Sequence, residues 1–153
     1  MPSVTEILIA PSPSETMRSV ESARVIPGRG IEGDRYFAGI GTFSPTPQRP
    51  DFEITFIAQE AIDTFVAESG MAFTGKDARR NVVTRGIDLN ALVGREFLVG
   101  EIRFRGLRLC EPCHYLSKIT APAVLRGLVH RGGLRTQILT EGEIRVGDKI
   151  QSV

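Results

Sequence analysis

Both cysteines of the chain and one of its two histidines fall within five consecutive residues, Cys110-Glu111-Pro112-Cys113-His114. A thiolate in such a place is a nucleophile, a sulfur carrier or a soft metal ligand. Ile102 and Phe104 alternate with Arg103 and Arg105, a strand pattern that must stop before Pro112, which has no N–H for a ladder. Leu116, Ile119, Val124, Leu125, Leu128 and Val129 then recur at helical spacing, which predicts a helix or a broken pair of helices. Pro112 suits the first turn of that helix, which predicts Cys113 beside free backbone N–H groups and the positive end of the helix dipole, an environment that favours thiolate. Glu111 opposes this with a like charge. His114 is placed to hydrogen-bond the Cys113 sulfur or to serve as a proton donor, and as readily to cap or face solvent; His130 reads the same way.

Three further stretches could hold an anion. Pro27 to Tyr36 carries Gly28, Gly30 and Gly33 between charged residues, with Arg29 and Arg35 as cations; a tight turn between strands explains it equally. Arg79, Arg80 and Asn81, with Lys76 and Arg85, surround the short apolar run Val82-Val83. Guanidinium forks suit a phosphate or carboxylate and an amide can read a heterocycle edge, while the plainer reading is a solvated charged edge strand. Arg131 and Arg135 flank a Gly132-Gly133 turn.

The elements that must position these residues are mostly short strands. Val4–Ala10, Val20–Ile26, Glu53–Ile57, Val82–Thr84, Phe97–Val99, Ile102–Leu107, Thr136–Leu139 and Glu143–Val146 read as strands separated by Gly- and Pro-marked turns, the last two joined at Glu141-Gly142. Ala58–Ser69 places Ala61, Ile62, Phe65 and Val66 on one helical face, stopped by Gly70, and Asp88 is set to cap a turn through Leu92. Phe37–Asp51, with Pro45, Pro47 and Pro50, reads as a long loop. These elements predict a mainly β, barrel-like fold with two or three helices. With 153 residues and 41% hydrophobic content, one domain spanning 1–153 is expected. A net charge of +1 supplies no basic field for nucleic acid, and the lack of a signal segment or a long apolar run predicts a cytoplasmic protein without a membrane partner.

Taken together and in order, Gly30-Ile31-Glu32-Gly33-Asp34-Arg35-Tyr36, Arg80-Asn81-Val82-Val83-Thr84-Arg85-Gly86-Ile87-Asp88-Leu89, Cys110-Glu111-Pro112-Cys113, Gly133-Leu134-Arg135 and Gly142-Glu143-Ile144-Arg145-Val146-Gly147-Asp148 resemble the MOSC domain, the C-terminal domain type of molybdenum cofactor sulfurases, in its small stand-alone bacterial form. The resemblance covers nearly the whole chain. It implies a β-barrel that binds the molybdenum cofactor (molybdopterin) or carries sulfur towards it. It further implies Cys113 as persulfide carrier or molybdenum ligand, Cys110 as its helper, and Arg80 and Asn81 in a cofactor-contacting segment, with Arg79, Arg35, Arg131 and Arg135 as further candidates. No aminotransferase-like domain is present, so no pyridoxal phosphate site is expected, and a cysteine desulfurase or a molybdoenzyme is the expected sulfur donor or acceptor.

Rival chemistries attach to the same residues. A molybdenum-dependent reductase of N-hydroxylated compounds would need an electron-transfer partner, so whether the protein is an enzyme is open. A Cys110/Cys113 dithiol redox protein needs no metal. Haem attachment through Cys-x-x-Cys-His requires export, and zinc requires four ligands where only Cys110, Cys113, His114 and His130 are on offer.

Overall fold

Period-two patterning produces two sheets and two apolar layers. The computed structural model describes residues 1–13, 15–41, 44–45, 49–110 and 131–153. Strands β1 (Ser3–Ile9), β2 (Arg18–Val20), β3 (Ser22–Ile26), β4 (Gly30–Ile31), β5 (Ile54–Ala58), β6 (Val82–Arg85), β7 (Glu96–Val99), β8 (Ile102–Leu109), β9 (Leu134–Ile138), β10 (Gly142–Arg145) and β11 (Ile150–Ser152) alternate with helices α1 (Gln59–Ser69) and α2 (Gly75–Ala78). Eight strands run in the order β11-β7-β8-β9-β5-β6-β1-β2 and curl into a half-barrel, while β10-β3-β4 form a second sheet.

The inner layer is built by the inward residues of both sheets. Ile7, Ile54, Phe56, Val82, Phe97, Phe104 and Leu134 come from the large sheet, Val25, Ile31 and Ile144 from the small one, and all are buried. Phe56 meets Phe97 and Phe104 edge-on at 5.5 and 5.6 Å, the geometry that aromatic quadrupoles favour. The alternate residues Leu8, Ile57 and Val83 face the other way, and Ile62 and Phe65 of α1 with Phe73 and Ala78 cover them. α1 ends on Gly70 at φ 69°, as its sequence predicts. In α2 the Asp77 carboxylate accepts from both the N–H and the hydroxyl of Thr74, fixing the turn that leads to Arg79 and Arg80.

Two local expectations are corrected. Val20–Ile26 is two strands, since β2 pairs with β1 and β3 pairs with β10. The segment after Asn81 is no charged edge: β6 lies between β5, to which it is parallel, and β1, and its Val82, Val83 and Thr84 are fully buried. Its cations escape burial because they flank the strand. Beyond the Glu141-Gly142 connection the two strands part company: β9 sits between β8 and β5, and β10 joins the small sheet. The expected helical segment after Cys110 lies outside the described residues.

Candidate functional site

The chain leaves β8 at Cys110 and returns at Gly132, and these two points are tied together. Cys110 N–H donates to the Gly133 carbonyl at 2.7 Å, extending the β8–β9 ladder by one bond. Arg80 completes the tie. Its Nε donates to the Gly132 carbonyl at 2.8 Å and its Nη2 to the Cys110 carbonyl at 3.2 Å, while Nη1 reaches Ala78 O at 3.3 Å. A guanidinium suits this work because its donors leave one rigid plane in fixed directions. Cys110 itself is a free thiol, 1% exposed. Cys113, assigned as ligand or carrier, lies outside the described residues, as do His114 and His130.

Arg79 and Arg80 diverge because of the backbone between them and α2. Arg79 has φ 56°, the one non-glycine residue of positive φ among those described. That conformation disfavours a side chain by roughly 1–2 kcal/mol and turns successive residues to different sides. Arg79 accordingly donates to the carbonyls of Glu15 at 2.9 Å and Pro13 at 3.2 Å. Asn81 is 4% exposed. Its Oδ1 accepts from the N–H and hydroxyl of Thr55, both at 3.1 Å, and its Nδ2 donates to Leu8 O at 3.1 Å. One amide thus joins the strand ends of β1, β5 and β6.

The remaining arginine candidates are dispersed. Arg35 is buried beside Asp34 at 3.1 Å, which also accepts from Ala10 N–H and Tyr36 N–H. Arg135 lies on β9, donates to Asp51 O at 3.1 Å and rests over the Phe52 ring at 4.8 Å. Arg131 pairs with Glu68 at 2.9 Å and lines a cleft of about 380 Å³.

That cleft brings residues of α1 and of the turn after β6 beside Arg131 and Gly133. It opens where the parallel strands β5 and β6 end, between Ala58 and Ala61 at the start of α1, the Ile87–Asn90 turn, and Gly133. The start of α1 has no side-chain cap, so its first N–H groups have no such partner, and Glu60 turns back to accept from Gly86 N–H at 2.7 Å. Asp88 caps the following turn through Asn90 N–H at 3.1 Å. Gly133, which forms one wall, is the residue bonded to Cys110 N–H, so the cleft and the tied chain ends share a backbone unit. The signal missed in the sequence is a strand–helix–strand unit over 54–85, whose carboxyl-end crevice is where open α/β arrangements bind ligands. No group of three or more His, Cys, Asp or Glu side chains among the described residues is disposed to hold a metal ion, and none of their helices is long and apolar enough to cross a membrane.

A curled β half-barrel closed by a small second sheet, with a cleft beside a tied chain crossing, defines the class. The MOSC domain model matches residues 43–151, and the chain belongs to the MOSC domain family, which is associated with molybdenum cofactor binding and sulfuration. The fold is similar to that of the YuaD protein from Bacillus subtilis, at TM-score 0.83 and 19% identity over 99% of this chain and 96% of that one. YiiM from Geobacillus stearothermophilus is similar at TM-score 0.76 and 16% identity, over 100% of this chain and 75% of its own. YiiM from Escherichia coli gives 0.67 and 17%, over 99% and 69%. No curated protein matches the sequence.

Proposed function

We propose that this protein handles the molybdenum cofactor, or sulfur destined for it, through Cys113, with Cys110 in a supporting position. The observation that carries the reading is the Arg80 tie, which fixes both ends of the segment bearing Cys113 against the barrel. A carrier thiol needs such fixing, because a nucleophile or ligand must be held close to its productive geometry.

The cleft is compatible with the cofactor's chemistry. Its volume is within the range of small-molecule sites. Arg131 and the uncapped start of α1 suit a phosphate, while Asp88 and Glu60 suit the donor edge of a pterin. When bound, the cofactor would supply a soft metal centre for thiolate chemistry. Arg80 then acts by orienting the Cys113 segment, and Asn81 by holding the strands from which Arg80 reaches. In the sulfur-carrying form, the Cys113 thiolate accepts one sulfane sulfur from a donor persulfide, whose own thiolate leaves, and passes that sulfur on to an acceptor. A cysteine desulfurase fits the donor role and a molybdoenzyme the acceptor role.

The test is elemental analysis of protein from a cofactor-producing host, wild type beside Cys113→Ser, with mass spectrometry of the same samples. Molybdenum, or an adduct of one sulfur atom on Cys113, present in wild type and lost in the variant, is the expected result. Equal retention in both, or neither species in wild type, overturns it and returns a Cys110/Cys113 dithiol to the front.

A further inference from the structure

One face of the sheet is left without a helix among the described residues, and its composition is skewed. α1 and α2 cover the outward residues of β1, β5 and β6, but the outward residues of β7, β8 and β9 are half-buried or exposed. They include Arg103, Arg105, Arg108 and Arg135, and Arg49 joins them from the turn at 49–52. Two carboxylates serve four of these five cations, and Arg135 donates to the Asp51 main-chain carbonyl instead. Glu96 receives Arg103 at 2.9 Å and Arg105 at 2.6 Å; Asp51 receives Arg108 at 3.0 Å and Arg49 at 3.5 Å. The chain as a whole carries only one excess positive charge, so this face concentrates cation well beyond the average.

The backbone itself enforces part of this. A bulge between Gly106 and Arg108 shifts the β8–β9 register, so that Arg108 stands opposite Arg135 where an unbroken ladder would place Leu107. Like charges directly opposite each other on a sheet are destabilising, and bulges re-aim particular side chains. Here the bulge brings two arginines together. The Arg103, Arg105, Arg108 and Arg49 side chains remain 39%, 46%, 53% and 64% exposed, so part of each is accessible to a partner alongside its carboxylate. Arg108 lies two residues before Cys110, on the strand that delivers the chain to the tied crossing.

We propose that the arginine face of β7–β9, centred on Arg105 and Arg108, is a docking surface for a protein partner that presents clustered carboxylates. The proposal rests on the reading of Cys113 as carrier or ligand, for which a partner must come to the β8 end of the barrel. Guanidinium forks meet carboxylates bidentately, and complementary fields of this kind raise the rate and selectivity of encounter. With a net charge of +1 the chain has no extended basic field for a continuous phosphate backbone, and this local cluster matches a discrete carboxylate patch instead.

The test uses poly-L-glutamate as a carboxylate probe and duplex DNA as a phosphate probe, with binding followed by fluorescence anisotropy across a salt series. Wild type is expected to bind poly-L-glutamate with an affinity that falls as salt rises, and Arg105→Gln/Arg108→Gln to weaken it by about tenfold at low salt. Arg105→Lys/Arg108→Lys keeps the charges and should stay within about threefold. Arg18→Gln/Arg24→Gln, an equal charge change elsewhere on the surface, should change binding less than about twofold. Thermal unfolding of each variant verifies that it is folded. Equal weakening by the two glutamine pairs, no binding by wild type, or tighter binding of DNA than of poly-L-glutamate overturns the proposal. Molybdenum or sulfur loading of Cys113 in Arg105→Gln/Arg108→Gln is read separately, so loss of docking and loss of the Cys113 chemistry are distinguishable.

Discussion

Arg80 and Cys110 are joined by a hydrogen bond from a side chain to a main-chain carbonyl, Nη2 to O at 3.2 Å, across 30 positions of sequence. The same guanidinium holds Gly132 O at 2.8 Å, so one side chain reinforces the Cys110 N–H to Gly133 O bond at both ends of the Cys113 segment. Arg80→Ala removes charge-assisted bonds to partly buried carbonyls and is expected to lower stability by about 3 kcal/mol in urea unfolding. Arg80→Lys can satisfy fewer of these acceptors and should fall between. The alkylation rate of Cys113 should change in both, because the segment loses its anchor. An unchanged rate in a destabilised Arg80→Ala would confine Arg80 to fold stability.

Asn81 offers a contrasting outcome. Its amide is buried and joins Thr55 to Leu8, so Asn81→Ala should cost about 2 kcal/mol by leaving those groups unpaired. Asn81→Asp replaces the Nδ2 donor with a charged oxygen facing Leu8 O, and a loss of about 3 kcal/mol is expected. Stability unchanged in either variant would contradict the strand-tying role.

The sequence made some of this legible and hid the rest for physical reasons. The β7–β8 hairpin, α1 with its Gly70 stop and the Asp88 turn announce themselves by local periodicity and capping chemistry, and all three form. The partners of β6 and β9 are non-local and have no local signature, so a strand bounded by arginines looked like an edge. Arg80 and Asn81 were identifiable as residues of consequence. Their contacts, with carbonyls 30 and 52 positions away and with strands on either side, depend on the sheet order. The cleft was hidden for the same reason, since it arises only when 58–61, 86–90 and 131–133 converge.

Gly133 is a point where only glycine fits. Its φ of 115° is open to glycine alone in practice, and a Cβ there would lie 2.1 Å from the Phe56 carbonyl oxygen. Gly133→Ala must therefore move β5 or β9 and is expected to cost about 3 kcal/mol or more. Because Gly133 O also receives Cys110 N–H, the variant should open the crossing. Hydrogen exchange at the Cys110 amide should accelerate more than the global loss of stability predicts, and acceleration matching the global loss would mean that the crossing has stayed intact.

Glu53 gives the fold a pH dependence of defined sign. It is 3% exposed, and its Oε1 accepts from Gly28 N–H at 3.2 Å and Ile138 N–H at 3.1 Å. Burial raises its carboxyl above the ordinary value of 4.5, and the two N–H donors offset this only in part. A carboxyl with a raised folded-state value binds its proton more tightly in the native than in the unfolded chain. Its contribution to stability is complete below about 4.5 and is lost as pH rises through the folded-state value. Glu96 has the opposite sign, held down by Arg105 and Arg103, and its contribution is lost as pH falls. Glu53→Gln keeps the Oε1 acceptor, removes the titration and leaves Glu96 untouched. Urea unfolding of both proteins from pH 4 to pH 8 should therefore show the stability of the variant relative to wild type improving as pH rises. A difference that does not change with pH would mean that Glu53 titrates in the folded protein at its ordinary value.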